Sequence, residues 1–241
     1  MNQSRLTLGI LGGMGPHAGL RFCELLLQLS IDRYGSKRNA DFPHFLLSNL
    51  PVPDLISSRE DEERTVTMVE AEAKRLEVAG AELIVLACNT MHLFEERFRS
   101  AIAVPFLSII DAVMKNVQRD GRKTVGLLGS MTTMQSTLYS APLQRAGIEL
   151  ILPSPAEQEE LTRCVQTIVA HQVGDEERAL LRRQMESLHE KGAEAVILGC
   201  TELPQILTPD TSGIPVYDSL RILAEAACAA MYFPSSISSC D

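Results

Sequence analysis

Gly80-Ala81-Glu82-Leu83-Ile84-Val85-Leu86-Ala87-Cys88-Asn89-Thr90 returns 112 residues later as Gly192-Ala193-Glu194-Ala195-Val196-Ile197-Leu198-Gly199-Cys200-Thr201-Glu202. Each copy holds a glycine able to end a helix, an apolar run of strand length, and a cysteine followed by small polar residues. A run with no polar alternation reads as a strand covered on both faces, as in a parallel sheet. The cysteine then falls at the strand's carboxyl end, where open α/β sheets bind their ligands. Each half of the chain carries one such thiol. Two thiols facing one another across a pseudo-twofold axis would suit an enzyme that removes a proton from one face of a carbon and returns it to the other.

Outward from these runs, strand and helix patterns alternate in the same order in both halves. Leu6–Leu11 is an expected strand ending in Gly12-Gly13-Met14-Gly15-Pro16, and Leu20–Ile31 has helical apolar spacing. Phe45–Leu50 reads as a strand, Asp61–Ala79 as a long helix with an acidic start, and Val104–Ile109 as a fourth strand. A helix is expected to start near Thr90. The second half restarts with strand Thr124–Leu128 before Gly129-Ser130-Met131-Thr132-Thr133, a helix over about 134–146 and strand Ile148–Leu152. Helical patterns follow from Pro155 to about Gln172 and over Asp175–Lys191. Ile214–Asp218 then parallels Val104–Ser108, and Leu220–Met231 closes the chain. Landmarks recur at offsets of 117, 112 and 110 residues. The fold class expected is α/β: two pseudo-symmetric domains, each a mainly parallel sheet flanked by helices. Their boundaries are read as residues 1–110, with the closing helix 218–233 packing back on them, and 111–217. The polar tail Pro234–Asp241 is expected to fray.

Composition narrows the class. The chain of 241 residues is 45% hydrophobic and 22% charged, ordinary for a globular protein. A net charge of −9 argues against nucleic-acid or anionic-membrane partners. No secretory leader and no membrane-length apolar run is read from the sequence. Six cysteines without such a leader suggest reduced thiols in the cytoplasm. Neither a C-x-x-C nor a zinc-spaced Cys/His cluster occurs, so no metal is expected.

Cys23, Cys164 and Cys228 fall inside helical patterns and read as small buried hydrophobes, and Cys240 lies in the tail. Cys88 and Cys200 differ: each closes a strand and precedes an expected helix start, where free N–H groups and the helix dipole favour thiolate. Asn89, Thr90 and Thr201 offer amide, hydroxyl and backbone donors to a carboxylate, and the threonines also read as plain N-caps. His92 and Glu202 are candidates to orient or polarise the thiols, or to bond only within their own loops. Gly13 and Met14 lie in a tight loop suited to a small substrate. Its glycine spacing misses the dinucleotide pattern, and no phosphate-loop lysine follows. A Cys-His nucleophile built on Cys88 and His92 would leave the second thiol idle. No Schiff-base lysine with a phosphate cup is evident, so no cofactor is expected.

At Leu11-Gly12-Gly13-Met14-Gly15-Pro16, Cys88-Asn89-Thr90-Met91-His92 and Leu198-Gly199-Cys200-Thr201-Glu202-Leu203-Pro204 the chain resembles the aspartate/glutamate racemase family. The resemblance implies a cofactor-independent amino-acid racemase, an isomerase with its site between two α/β domains and commonly a homodimer. It implies Cys88 and Cys200 as the catalytic pair and Asn89, Thr90 and Met91 beside the substrate's α-carboxylate. Thr201 would stand on the opposite wall, with Thr133 on a second-domain loop nearby. Two positions depart from aspartate-specific members: Leu55 follows Pro53-Asp54 where they carry arginine, and Gln172 precedes Val173-Gly174 where they carry lysine. Losing both cations removes charge-assisted recognition of a side-chain carboxylate, so a substrate other than aspartate is expected. Arg59, the nearest arginine, reads as part of a solvated helix start. Maleate isomerase and hydantoin racemase chemistry use the same two-thiol logic and remain alternatives, as does a non-catalytic small-molecule-binding module.

Overall fold

Two four-stranded parallel sheets carry the chain, and both have the same strand order. The computed structural model describes residues 5–53, 59–207 and 213–233. In the first sheet β1 (Leu8–Gly12), β2 (Phe45–Asn49), β3 (Leu83–Leu86) and β4 (Phe106–Leu107) lie in the order β2-β1-β3-β4. In the second, β5 (Thr124–Gly129), β6 (Glu149–Ile151), β7 (Ala195–Gly199) and β8 (Val216–Asp218) lie in the order β6-β5-β7-β8. The described residues up to Ile109 and from Leu220 onward form one compact unit, and Ile110–Ser219 form the other.

The central strands are buried because both their faces are covered. Leu8, Ile10 and Leu11 of β1, all of Leu83–Leu86, and Val196–Leu198 of β7 are almost wholly inaccessible. In the first unit α1 (Pro16–Tyr34) and α2 (Arg59–Val78) pack on β1 and β2. α1 starts with Pro16 in its first turn, where a missing N–H costs nothing. In the second unit α8 (Asp175–Glu190) packs on β7 and α6 (Thr137–Arg145) on β6.

The repeated glycines do equivalent work. Gly80 and Gly192 have φ of 100° and 102°, backbone that side-chain-bearing residues rarely adopt. They turn the chain from helix to strand. Ala81 N–H then bonds Leu76 O at 2.9 Å, and Ala193 N–H bonds Leu188 O at 3.0 Å. The next residue repeats too. Glu82 N–H bonds Thr7 O at 2.8 Å and Glu194 N–H bonds Thr124 O at 3.0 Å, each anchoring the incoming strand beside the first.

α9 (Ser219–Tyr232) is held on the first unit by side chains far from it in sequence. Tyr232 stacks on Tyr34 with ring centres 4.0 Å apart, its hydroxyl lies 2.9 Å from Ser36 Oγ, and Glu225 pairs with Arg33 at 2.7 Å.

Several expected elements change. The helix over 134–146 is two helices, α5 (Met131–Gln135) and α6, broken where the extended Ser136 caps the second. The stretch from Pro155 ends at Val169 as α7, opened by a Ser154–Glu157 capping box. The strand at 104–109 shrinks to two residues. Pro105 has no N–H to give the ladder and contributes only its carbonyl, which accepts from Ile84 N–H at 2.9 Å. Ile109 already begins α4 (Ile109–Arg119). Asp54, Leu55, Cys240 and the tail fall outside the described residues.

Candidate active site

Cys88 follows β3 with Ala87 between, and Cys200 follows β7 directly. Both are at the carboxyl edges of their sheets and both are buried, 6% and 9% exposed. Register brings the neighbouring loops alongside. Gly12 ends β1 next to β3, with Ala87 N–H bonded to Leu11 O at 2.9 Å, so the Gly13–Met14 loop lies beside the Cys88 loop. Met14 is half-buried against the core cluster that contains Cys88 and Met91. In the second unit Gly129 pairs with Gly199, which sets the loop carrying Thr133 beside Cys200.

The dipole argument for these thiols does not survive. Cys88 is followed by a 3-10 turn, Thr90–Phe94, before the α-helix α3 (Glu95–Ala101) begins. Cys200 is followed by a turn and the three-residue 3-10 segment Leu203–Gln205. Single 3-10 turns align too few peptide units to build the charge that an α-helix offers. Thr201 is not an N-cap either. Its hydroxyl donates to Glu202 Oε2 at 2.8 Å.

What the loops supply instead is fixed hydrogen bonding. Ile109 N–H donates to His92 Nε2 at 3.2 Å, so Nε2 is the acceptor nitrogen and Nδ1 carries the proton given to Cys88 O at 2.8 Å. His92 thus ties the Cys88 backbone to the start of α4. Glu202, 4% exposed, accepts from Thr201 and from Cys200 Sγ at 3.4 Å through Oε2. Among the described residues its Oε1 is buried without a hydrogen-bond partner.

The other expected contact residues divide. Asn89 and Thr201 are buried beside the thiols and Thr90 is half-exposed. Met91 is wholly buried and its side chain lies in the apolar core. Thr133 is also wholly buried. Its hydroxyl accepts from Ser130 Oγ at 3.0 Å and its N–H donates to the same oxygen at 3.1 Å, capping α5. Arg59 is exposed at the first residue of α2, and Gln172 is exposed in the loop before α8.

Ser130 and Asn49, at the carboxyl ends of β5 and β2, escaped the sequence reading. The Ser130-x-x-Thr133 spacing is the capping signal that could have singled out the first. Of the other described thiols, Cys164 and Cys228 are buried as expected, whereas Cys23 is only partly buried. Burial pushes Cys23, Cys164 and Cys228 each up to about 11, so they stay protonated at neutral pH. Among the described residues no group of three or more His, Cys, Asp or Glu side chains could hold a metal ion, and no helix is long and apolar enough to cross a membrane.

Paired parallel sheets of identical order, each ending in a buried cysteine loop, define a class of duplicated α/β proteins with a thiol at each sheet edge. The family model for Asp/Glu/Hydantoin racemase matches residues 11–227, and the chain belongs to that family and is an isomerase of the racemase type. It is 29% identical over 219 residues to the broad specificity amino-acid racemase RacX of Bacillus subtilis (strain 168), covering 91% of this chain and 95% of that protein. Among solved structures it resembles the Picrophilus torridus aspartate racemase, with a TM-score of 0.82, 29% identity and 94% of each chain covered. It also resembles an aspartate racemase homologue from Pyrococcus horikoshii OT3, with a TM-score of 0.79, 30% identity and coverage of 94% of this chain and 99% of that one.

Proposed function

We propose that the protein is a cofactor-independent racemase that interconverts L- and D-amino acids by two-base proton transfer between Cys88 and Cys200. One thiolate removes the Cα proton from one face while the other cysteine, as thiol, delivers a proton to the opposite face. In the reverse direction they exchange roles. Asn89, Thr90, Thr201 and the backbone of Gly13, Met14 and Met91 receive the α-carboxylate and stabilise the enolate-like charge that develops on it. Thr133, packed beside Gly199, supports the Cys200 loop, and His92 holds the Cys88 backbone in place. The observation that carries the reading is the duplication itself: two buried cysteines at the same point of two identically ordered sheets.

The substrate is an amino acid other than aspartate, or several of them. The support is Gln172 and Leu55 at positions where aspartate-specific members carry cations. The broad specificity that the Bacillus relative carries in its name agrees. The same reading takes the enzyme as a cytoplasmic homodimer, in keeping with five free cysteines among the described residues. Sedimentation of the purified chain measures the dimer.

Incubation with single L- and D-amino acids followed by chiral chromatography tests the activity. In D2O the product must carry deuterium at Cα. Cys88→Ala and Cys200→Ala should each lower turnover by at least about a hundredfold, the lower end for general acid–base groups. Near-full racemisation by Cys200→Ala would sink the two-base scheme.

A further inference from the structure

We propose that the outer face of α1 is the surface on which a second copy of this chain seats, the two α1 helices lying antiparallel across a twofold axis. This deepens the homodimer reading above and rests on it.

α1 is apolar on two opposite faces. At about 100° per residue, Ala18, Phe22, Leu25 and Leu29 share one face, and all are buried. Leu20, Leu27 and Ile31 share the opposite face, within about 40° of one another by the same period. They are 53%, 38% and 47% exposed. A helix packed on one sheet needs a single apolar stripe, and its solvent side is ordinarily polar. The second stripe also continues past Ile31. Tyr34 lies one turn further along the same side, and its ring meets Phe233, itself 58% exposed, with centroids 6.0 Å apart. Among the described residues seven large hydrophobic side chains are exposed, and Leu20, Leu27, Ile31 and Phe233 are four of them. Gathered in one patch rather than scattered, they mark an interaction surface.

The charges beside the stripe select the partner. Along one edge α1 carries Arg21 near its start and Asp32 in its last turn. Within α1, Arg21 pairs with Glu24 at 3.0 Å and Asp32 accepts from Gln28 Nε2 at 2.9 Å, all at exposed side chains. A twofold axis normal to the plane of two antiparallel helices brings the same edge of each together. With Leu27 beside that axis, Arg21 of one copy stands level with Asp32 of the partner subunit. Leu20 then fits beside Ile31 of the partner subunit, and Glu24 beside Gln28 of the partner subunit. Symmetry repeats each pairing, as a self-complementary interface requires. Parallel helices would instead set this edge against the opposite one, where Gly19, Leu26 and Ser30 are buried and offer no charge. Opposed helix dipoles favour the antiparallel arrangement as well. The net charge of −9 disfavours an anionic lipid surface as the occupant.

Sedimentation equilibrium of the full chain over the micromolar range measures the dissociation constant. Leu27→Glu should raise it by at least about tenfold, as loss of a central apolar contact does. Arg21→Asp, which sets two carboxylates opposite one another, should raise it by about threefold or more, and adding Asp32→Arg should bring it back to within about twofold of the parent. Circular dichroism checks that each variant is folded. Should Leu27→Glu fail to fold, Leu20→Glu serves, since that side chain is the more exposed. A dimer whose constant Leu27→Glu leaves unchanged overturns the proposed face while the homodimer stands. A parent chain that stays monomeric overturns both. A double variant that does not regain the parent's constant overturns the antiparallel register. No substrate enters these measurements, so a failed racemase assay beside a dimer weakened as expected faults the assigned reaction alone.

Discussion

Replacing Gly13 by alanine probes the loop that adjoins Cys88, and its cost follows from the local geometry. Gly13 has φ of 105°, where an L side chain is strained by roughly 1–3 kcal/mol. A β-carbon there would sit 2.6 Å from Leu50 N and 2.7 Å from its carbonyl carbon, closer still to the oxygen, where ordinary contact begins near 3.4 Å. The atoms in the way are backbone and cannot rotate aside. Moving them by about an ångström costs a further 1–3 kcal/mol or so as overpacking. It also strains the 3.1 Å bond from Leu50 N–H to Gly12 O that holds the end of β2 to β1. The two terms sum to about 2–6 kcal/mol, and a value near 3 kcal/mol is already a large share of a typical folding free energy of about 5–15 kcal/mol. Thermal unfolding followed by circular dichroism should show a midpoint lower by roughly 6–12 °C. Gly35→Ala is the control. Its φ of 68° carries the backbone penalty, but its β-carbon would meet nothing within 4 Å, so it should lose only about 1 kcal/mol. A Gly13→Ala protein that melts within a degree or so of the parent, or no lower than Gly35→Ala, would refute the argument from steric overlap.

Other outcomes follow from the same contacts. Glu157 accepts from Ser187 Oγ at 2.7 Å, Ser154 N–H at 2.6 Å and Lys191 Nζ at 3.0 Å, and these hold its carboxyl down at about 2 from the usual 4.5. Its folded value lies below its unfolded one, so its contribution is complete above about pH 4.5 and lost as the pH falls toward 2. Denaturation of Glu157→Gln should show a deficit of about 2 kcal/mol at pH 7 that disappears near pH 2. Arg97 binds Glu70 and Glu63 together, tying α3 to α2, but it is partly exposed. Arg97→Gln should therefore cost under about 1 kcal/mol, and less in high salt. Iodoacetamide at pH 7.5, read by peptide mass spectrometry, should leave Cys164 and Cys228 almost unmodified, since their burial keeps them as thiols. With an equilibrium constant of unity between enantiomers, any active variant must lower kcat/KM for the L- and D-forms by the same factor, as progress curves from both sides can verify.

The architecture was legible because it rests on local patterns written twice. Apolar runs of strand length announced β3 and β7, and Gly80 and Gly192 announced the turns before them, since few other residues adopt their backbone. The parallel sheets followed from alternation of strand and helix. Local chemistry misled where two signals competed. Thr90 and Thr201 looked like helix caps, yet Thr201 bonds the adjacent carboxylate and the chain after each cysteine tightens into 3-10 turns.

The sequence alone therefore determined that each half would be a parallel α/β unit with a cysteine at a sheet edge, because hydrophobic period, glycine backbone and strand-end position are properties of short segments. Tertiary structure decided what surrounds those cysteines. That His92 gives its proton to Cys88 O depends on Ile109 arriving 17 residues later, across β4. That Glu202 meets Cys200 with one oxygen, while the other has no partner among the described residues, depends on the burial of both side chains. Hydrogen-bond partners and desolvation are set by neighbours in space, and no spacing along the chain encodes them.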